Sequence, residues 1–66
     1  MSVARITEIS STSSTSFEDA INDGIQRATT TLRNVQSAWI KEQRVSVENG
    51  RVATYQVNML VTFVLE

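Results

Sequence analysis

The chain is 66 residues long, carries six basic and seven acidic residues, and contains neither cysteine nor histidine. Disulfide bonds are therefore excluded, and a structural zinc site lacks its usual ligands. The balanced charge gives no broad attraction to nucleic acid or to an anionic membrane. No apolar run approaches the ~20 residues of a membrane span. The N-terminus lacks the apolar stretch of a signal peptide, so we expect a cytoplasmic protein.

The length predicts a single domain covering residues 1–66. A chain of this size buries only roughly 60% of the surface that it exposes when unfolded. Small domains compensate with disulfides, a structural metal or oligomerisation. Because the first two lack their residues here, the composition predicts a homo-oligomer.

The first predicted element is a strand over residues 3–9, where β-branched residues recur among polar ones. Residues 10–16 consist only of serine and threonine, and we interpret them as a surface connector. The alternative is that their hydroxyl groups, together with the start of the next element, hold an anion.

A helix is predicted over residues 17–34. Ser16 can cap its N-terminus, with Asp19 in place of the usual Glu or Gln of a capping box. Apolar residues then recur at intervals of three and four and so share one helical face. These residues are Phe17, Ala20, Ile21, Ile25, Ala28, Leu32 and Val35.

Two further strands are predicted, over residues 35–48 and 52–65. Asn49-Gly50 lies between them and is typical of a type I′ hairpin turn. In the earlier strand, two pairs of apolar residues fall out of phase with simple alternation. A bulge between Glu42 and Arg44 would bring both pairs to one face. The pairs are Ala38 with Ile40 and Val45 with Val47.

The last strand carries an unbroken apolar row from Ala53 to Leu65, and the helix is expected to pack on the part from Tyr55 to Leu65. The sequence therefore predicts an α+β subunit of β-α-β-β order, with one amphipathic helix packed on a three-stranded antiparallel sheet. The uncovered sheet face combines Trp39 with the amides of Gln56 and Asn58. Such a mixed face suits a subunit interface or a ligand site.

No enzymatic activity is expected, because the chain lacks histidine, the usual general base, and cysteine, the strongest nucleophile. The acidic residues Glu18, Asp19 and Asp23 lie at the helix start, where the helix dipole stabilises them, and we interpret them as solvated. Trp39 suits either interface packing or stacking on a planar ligand. Gln56 is either an exposed residue of an edge strand or an amide that donates to and accepts from a heterocycle.

Six short segments have an order and spacing typical of one family. They are SFEDA at residues 16–20, TLRNV at 31–35, KEQ at 41–43, NG at 49–50, YQV at 55–57 and VTFVLE at 61–66. Over nearly its whole length the chain thus resembles the dodecins. The resemblance implies a hollow homo-dodecamer that stores or buffers a small molecule without catalysis. It also implies that a flavin, FMN or riboflavin, binds in pairs at subunit contacts.

Site residues follow from the same resemblance. Gln56 matches the glutamine that hydrogen-bonds the pyrimidine edge of the flavin, and Arg44 matches a basic position near the flavin phosphate. Ser37 occupies the position of the stacking tryptophan, and Trp39 follows two residues later on the same strand face. We expect flavin binding to be weak or absent unless Trp39 substitutes. The alternative is a flavin-free dodecamer that holds ions, such as calcium, or another small molecule.

Overall fold

A computed structural model describes residues 3–65. Its elements are β1 (Ala4–Ser13), α1 (Phe17–Thr31), β2 (Val35–Glu48) and β3 (Arg51–Val64). The strands form one antiparallel sheet in the order β1-β3-β2. The molecule measures 51 × 19 × 13 Å, because the β2–β3 hairpin is far longer than the helix. The predicted β-α-β-β subunit is confirmed.

Residues 10–13 belong to β1, so the prediction of a surface connector over residues 10–16 was wrong for this half. Ser11 pairs with Val57 and Thr12 with Gln56, and Ser11 retains only 8% exposure. Pairing with β3 outweighs the modest strand preference of the side chains, because strand propensity depends strongly on neighbouring strands. Only residues 14–16 connect β1 to α1.

The start of α1 is capped as predicted. Ser16 Oγ accepts a hydrogen bond from the backbone N–H of Asp19 at 2.9 Å. Ser13 donates its hydroxyl to the Asp19 carboxylate at 2.7 Å and accepts from the backbone N–H of Thr15 at 2.9 Å. The hydroxyl groups of Ser13 and Ser16 are thus used to close the helix start.

The helix ends at Thr31, three residues before the predicted end. Leu32 has extended backbone angles, and its N–H still donates to the carbonyl oxygen of Ala28 at 2.9 Å. Asn34 has a φ of 59°, a left-handed conformation that asparagine tolerates. The chain therefore leaves the helix early and turns into β2. No helix within residues 3–65 is long and apolar enough to cross a membrane.

Strand β2 bulges at Lys41, one residue before the predicted interval between Glu42 and Arg44. Ile40 pairs with Met59 and Glu42 with Asn58, so Lys41 is the extra residue. The bulge has the predicted effect for Ala38, Ile40 and Val45, which oppose residues of the β3 apolar row. The prediction was wrong for Val47, which pairs with Val52 outside that row because the register shifts again after Ser46. A second bulge, at Gln36, separates Val35 from Ser37, and a third irregularity follows Ser46.

The hairpin turn is confirmed, because Asn49 and Gly50 have φ angles of 54° and 75°. The core lies where α1 crosses β3. Val57, Met59 and Val61 are fully buried there, together with Ala20 of the helix.

Gly24 marks the close approach between α1 and β1. A Cβ atom at this position would collide with the end of the Met59 side chain and lie 3.0 Å from the Ser11 Cβ. The missing side chain therefore allows the helix to settle against the sheet.

Candidate ligand-binding face

The sheet surface opposite α1, which we call the open face, carries all four predicted site residues. Directly paired residues of neighbouring strands project to the same side of a sheet. Gln56 pairs with Arg44, Leu60 pairs with Trp39, and Thr62 pairs with Ser37. Strand β1 adds Ile6, Glu8, Ser10 and Thr12 to the same face through its pairing with β3.

The four residues form two separate groups along the sheet. Arg44 lies directly opposite Gln56, whereas Trp39 lies opposite Leu60, four residues further along β3. This separation is roughly 14 Å at 3.4 Å per residue. Ser37, opposite Thr62, is six residues away, or roughly 20 Å. The open face of one subunit thus has a polar half around Gln56 and an apolar half around Trp39.

The polar half contains a chain of side-chain hydrogen bonds across all three strands. Gln56 Nε2 donates to Ser10 Oγ at 2.9 Å and to Asn58 Oδ1 at 3.3 Å. Asn58 Nδ2 in turn donates to Glu42 Oε1 at 2.9 Å. The interpretation of Gln56 as an edge-strand residue was wrong, since β3 is the central strand. Both N–H groups of its amide are engaged, so the carbonyl oxygen is the atom it offers to a ligand.

Arg44 places a positive charge beside this network. Its side chain is exposed and makes no hydrogen bond or ion pair with other residues in the described range 3–65. A guanidinium group without a partner can form charge-assisted hydrogen bonds with a phosphate or carboxylate of a ligand.

The apolar half offers a flat aromatic surface. Trp39 is 50% exposed and Ile6 is 49% exposed, and Leu60 lies half-buried between their strands. An ion pair between Lys41 and Glu8, at 3.4 Å, borders this surface. Ser37 is also exposed but offers only a hydroxyl group. Trp39 is therefore the aromatic side chain of the open face that can stack on a planar ligand.

Comparison with known proteins decides the family, because the family model named Dodecin matches residues 3–66. This chain is a dodecin. Its structure resembles that of a dodecin from Streptomyces davaonensis, with 37% identity, a TM-score of 0.93 and coverage of 98% of this chain and 96% of the other. It also resembles the tt0972 protein from Thermus thermophilus, with 35% identity, a TM-score of 0.94 and coverage of 100% and 97%.

A third relative is named after the ion calcium. The calcium dodecin of Mycobacterium tuberculosis is 33% identical over 63 residues, which cover 96% of this dodecin and 89% of the relative. The crystal structure of that calcium-chelating protein, with a calcium-binding site, aligns with a TM-score of 0.84, 32% identity and coverage of 98% and 93%.

Within residues 3–65, this dodecin brings together no group of three or more acidic side chains that could hold a metal ion. Glu8 and Glu42 lie on the open face but contact Lys41 and Asn58, respectively. Calcium takes six to eight oxygen ligands. A calcium ion bound here would therefore need backbone oxygen atoms, water or a second subunit to complete its coordination.

The sequence pattern missed two members of the polar network. Ser10 was assigned to a connector, and Glu42 was not assigned to the open face. The position of Glu42 depends on the bulge at Lys41, and hydrophobic alternation constrains the site of a bulge only to within a few residues. Asn58 was correctly expected beside Gln56, because residues two apart on a strand share a face.

Proposed function

We propose that this dodecin is the non-catalytic subunit of a hollow, cytoplasmic homo-dodecamer that stores or buffers a small planar ligand of the flavin class. One observation carries this proposal. The half-exposed ring of Trp39, the acceptor oxygen of Gln56 and the unpaired guanidinium of Arg44 all lie on the open face. Together they can stack on a ring, accept from its N–H group and bind an attached phosphate.

The exposure of apolar side chains supports assembly. Five apolar residues are buried within the described range, whereas Val45, Val47 and Val52 in the hairpin arm remain 40%, 61% and 47% exposed. Val47 and Val52 are directly paired and project to the same side of the sheet. Exposed apolar surface of this kind marks an interaction site. Contacts between subunits would cover the hairpin arm and stabilise a chain whose own core is small.

The separation of the two halves supports a site shared between subunits. Trp39 and Gln56 of one chain are roughly 14 Å apart along β3 at 3.4 Å per residue. A compact ring bonded to Gln56 is more easily stacked by the tryptophan of a neighbouring subunit, so that the site is completed by assembly.

Because Ser37 stands in place of the family tryptophan, we expect a low affinity for flavin. Aromatic stacking contributes roughly 0.5–1.5 kcal/mol beyond the area it buries. The hydrogen bond to Gln56 adds only about 0.5–1.5 kcal/mol net, because water offers the same bond to the free ligand. Flavin binding is therefore weak in this dodecin and depends on Trp39.

Titration of flavin fluorescence tests this function. Quenching of riboflavin and FMN is measured with the native protein, with Trp39→Ala and with Ile6→Ala, a control that removes an equally exposed apolar side chain from the same face. We expect weak quenching by the native protein, little change with Ile6→Ala and loss with Trp39→Ala. Tight quenching that survives Trp39→Ala would refute a role for this ring.

A second candidate function is calcium storage in a flavin-free assembly, and the similarity to the calcium dodecin of M. tuberculosis favours it. The carboxylates of Glu8 and Glu42, with the amide oxygen of Gln56, are oxygen ligands of the kind calcium prefers. Absorbance and metal analysis of the purified assembly separate the two candidates. A yellow assembly supports flavin, whereas a colourless one that retains calcium through desalting and binds it in preference to magnesium supports ion storage.

A further inference from the structure

We propose that Glu42 and Asn58 are positioning residues that fix which end of the Gln56 amide faces a ligand, so that the site selects ligands presenting an N–H group. The inference rests on the proposed function and names the chemistry that its site recognises. It begins with the carboxylate of Glu42, which can only accept hydrogen bonds. Asn58 must therefore turn Nδ2 toward Glu42, as the 2.9 Å contact shows.

The orientation of Asn58 then fixes that of Gln56. With Nδ2 directed at Glu42, Asn58 Oδ1 faces Gln56 and accepts from its Nε2 at 3.3 Å. Ser10 Oγ accepts the second hydrogen of the same nitrogen at 2.9 Å. Gln56 Oε1 makes no hydrogen bond, and no unpaired side-chain oxygen is buried among residues 3–65. The carbonyl oxygen is therefore open to a ligand.

Reversal of the Gln56 amide is unfavourable because the whole chain must reverse with it. The reversed Gln56 would present Oε1 to Asn58, which would have to turn its Nδ2 away from Glu42. Asn58 Oδ1 would then face the Glu42 carboxylate, acceptor against acceptor. The repulsion between Asn58 and Glu42 thus keeps Gln56 Oε1 directed at the ligand. A ligand that presents another acceptor there is disfavoured, just as a ligand that presents a donor is favoured. An imide N–H is accepted, and a carbonyl or an N-alkyl group at the same place is rejected.

The test compares riboflavin with 3-methylriboflavin, in which a methyl group replaces the imide hydrogen. In fluorescence titrations, the native protein should bind riboflavin about tenfold more tightly, the ratio that corresponds to about 1.4 kcal/mol. Glu42→Gln should reduce this ratio of affinities. A glutamine can donate to or accept from Asn58, and so it permits both orientations of the Asn58 and Gln56 amides. Steric effects of the methyl group are common to both proteins and cancel in this comparison.

Glu48→Gln is the matched control, since it removes the same charge from the far end of β2 and should leave the ratio unchanged. The inference would be overturned if the native protein bound riboflavin and 3-methylriboflavin equally well, or if Glu42→Gln left the ratio of the two affinities unchanged. Either result would leave the proposed function intact. If neither flavin binds, the proposed flavin site fails instead. Neutron diffraction from the deuterated native protein then decides the orientation. An ND2 group of Gln56 that directs its deuterons at Ser10 Oγ and Asn58 Oδ1 supports the inference, and a Gln56 oxygen at that place overturns it.

Discussion

Gly24→Ala tests whether close contact between α1 and β1 depends on the absence of a side chain. The added methyl would collide with the buried end of Met59 and lie 3.0 Å and 3.3 Å from the Cβ and Oγ of Ser11. Met59 is fully buried, and the Ser11 Cβ moves only if β1 moves. Because neither obstacle can move freely, overpacking here costs about 2–3 kcal/mol, the upper part of its usual range, whereas alanine gains about 1 kcal/mol in helix propensity over glycine. A net loss of about 1–2 kcal/mol follows.

The assay is thermal unfolding followed by circular dichroism at a fixed subunit concentration, because association makes Tm concentration-dependent. For a domain of this size each kcal/mol shifts Tm by roughly 4–8 °C, so we expect a fall of about 5–15 °C. Asn22→Ala is the control, since Asn22 is exposed on the same helix and gains only helix propensity. An unchanged or raised Tm for Gly24→Ala would refute the packing argument.

Three further outcomes are expected. Gly50→Val should destabilise the hairpin by about 1–2 kcal/mol through its positive φ alone, because no atom lies within 4 Å of the added Cβ; an unchanged Tm would contradict the turn assignment. Ser37→Trp should strengthen flavin binding about tenfold by adding stacking and apolar contact, and titration showing no gain would remove Ser37 from the site. Analytical ultracentrifugation should show an assembly far larger than a dimer, and a folded monomer at micromolar concentration would exclude the proposed cage.

The fold was largely predictable because strong local signals agreed with one another. The apolar row of β3, the Ser16 cap and the Asn49-Gly50 turn each have a direct physical reason, and all three are confirmed. The serine and threonine run of β1 was mispredicted, since nothing local to it requires a strand. Its conformation is imposed by β3, a partner more than forty residues away in the chain.

The open face was predictable in its content but not in its bonding. Alternation along β2 and β3 correctly grouped Trp39 with Gln56 on one surface. The sequence did not show that both N–H groups of Gln56 are used within the chain, because this depends on Ser10 and Asn58 meeting it across and along the sheet. The roles of Ser37, Trp39, Arg44 and Gln56 in ligand binding remain predictions.

The paired bulges of β2 bear on how a dodecin can change its ligand during evolution. Gln36 and Lys41 each lack a partner on β3, and they enclose a four-residue segment, Ser37 to Ile40, that has its own register. Moving either bulge by one residue would shift the enclosed side chains without altering the strand beyond it. An aromatic ring can then be relocated or turned to the other face through small insertions and deletions. Ligand preference could thus drift while the fold of the subunit is inherited unchanged.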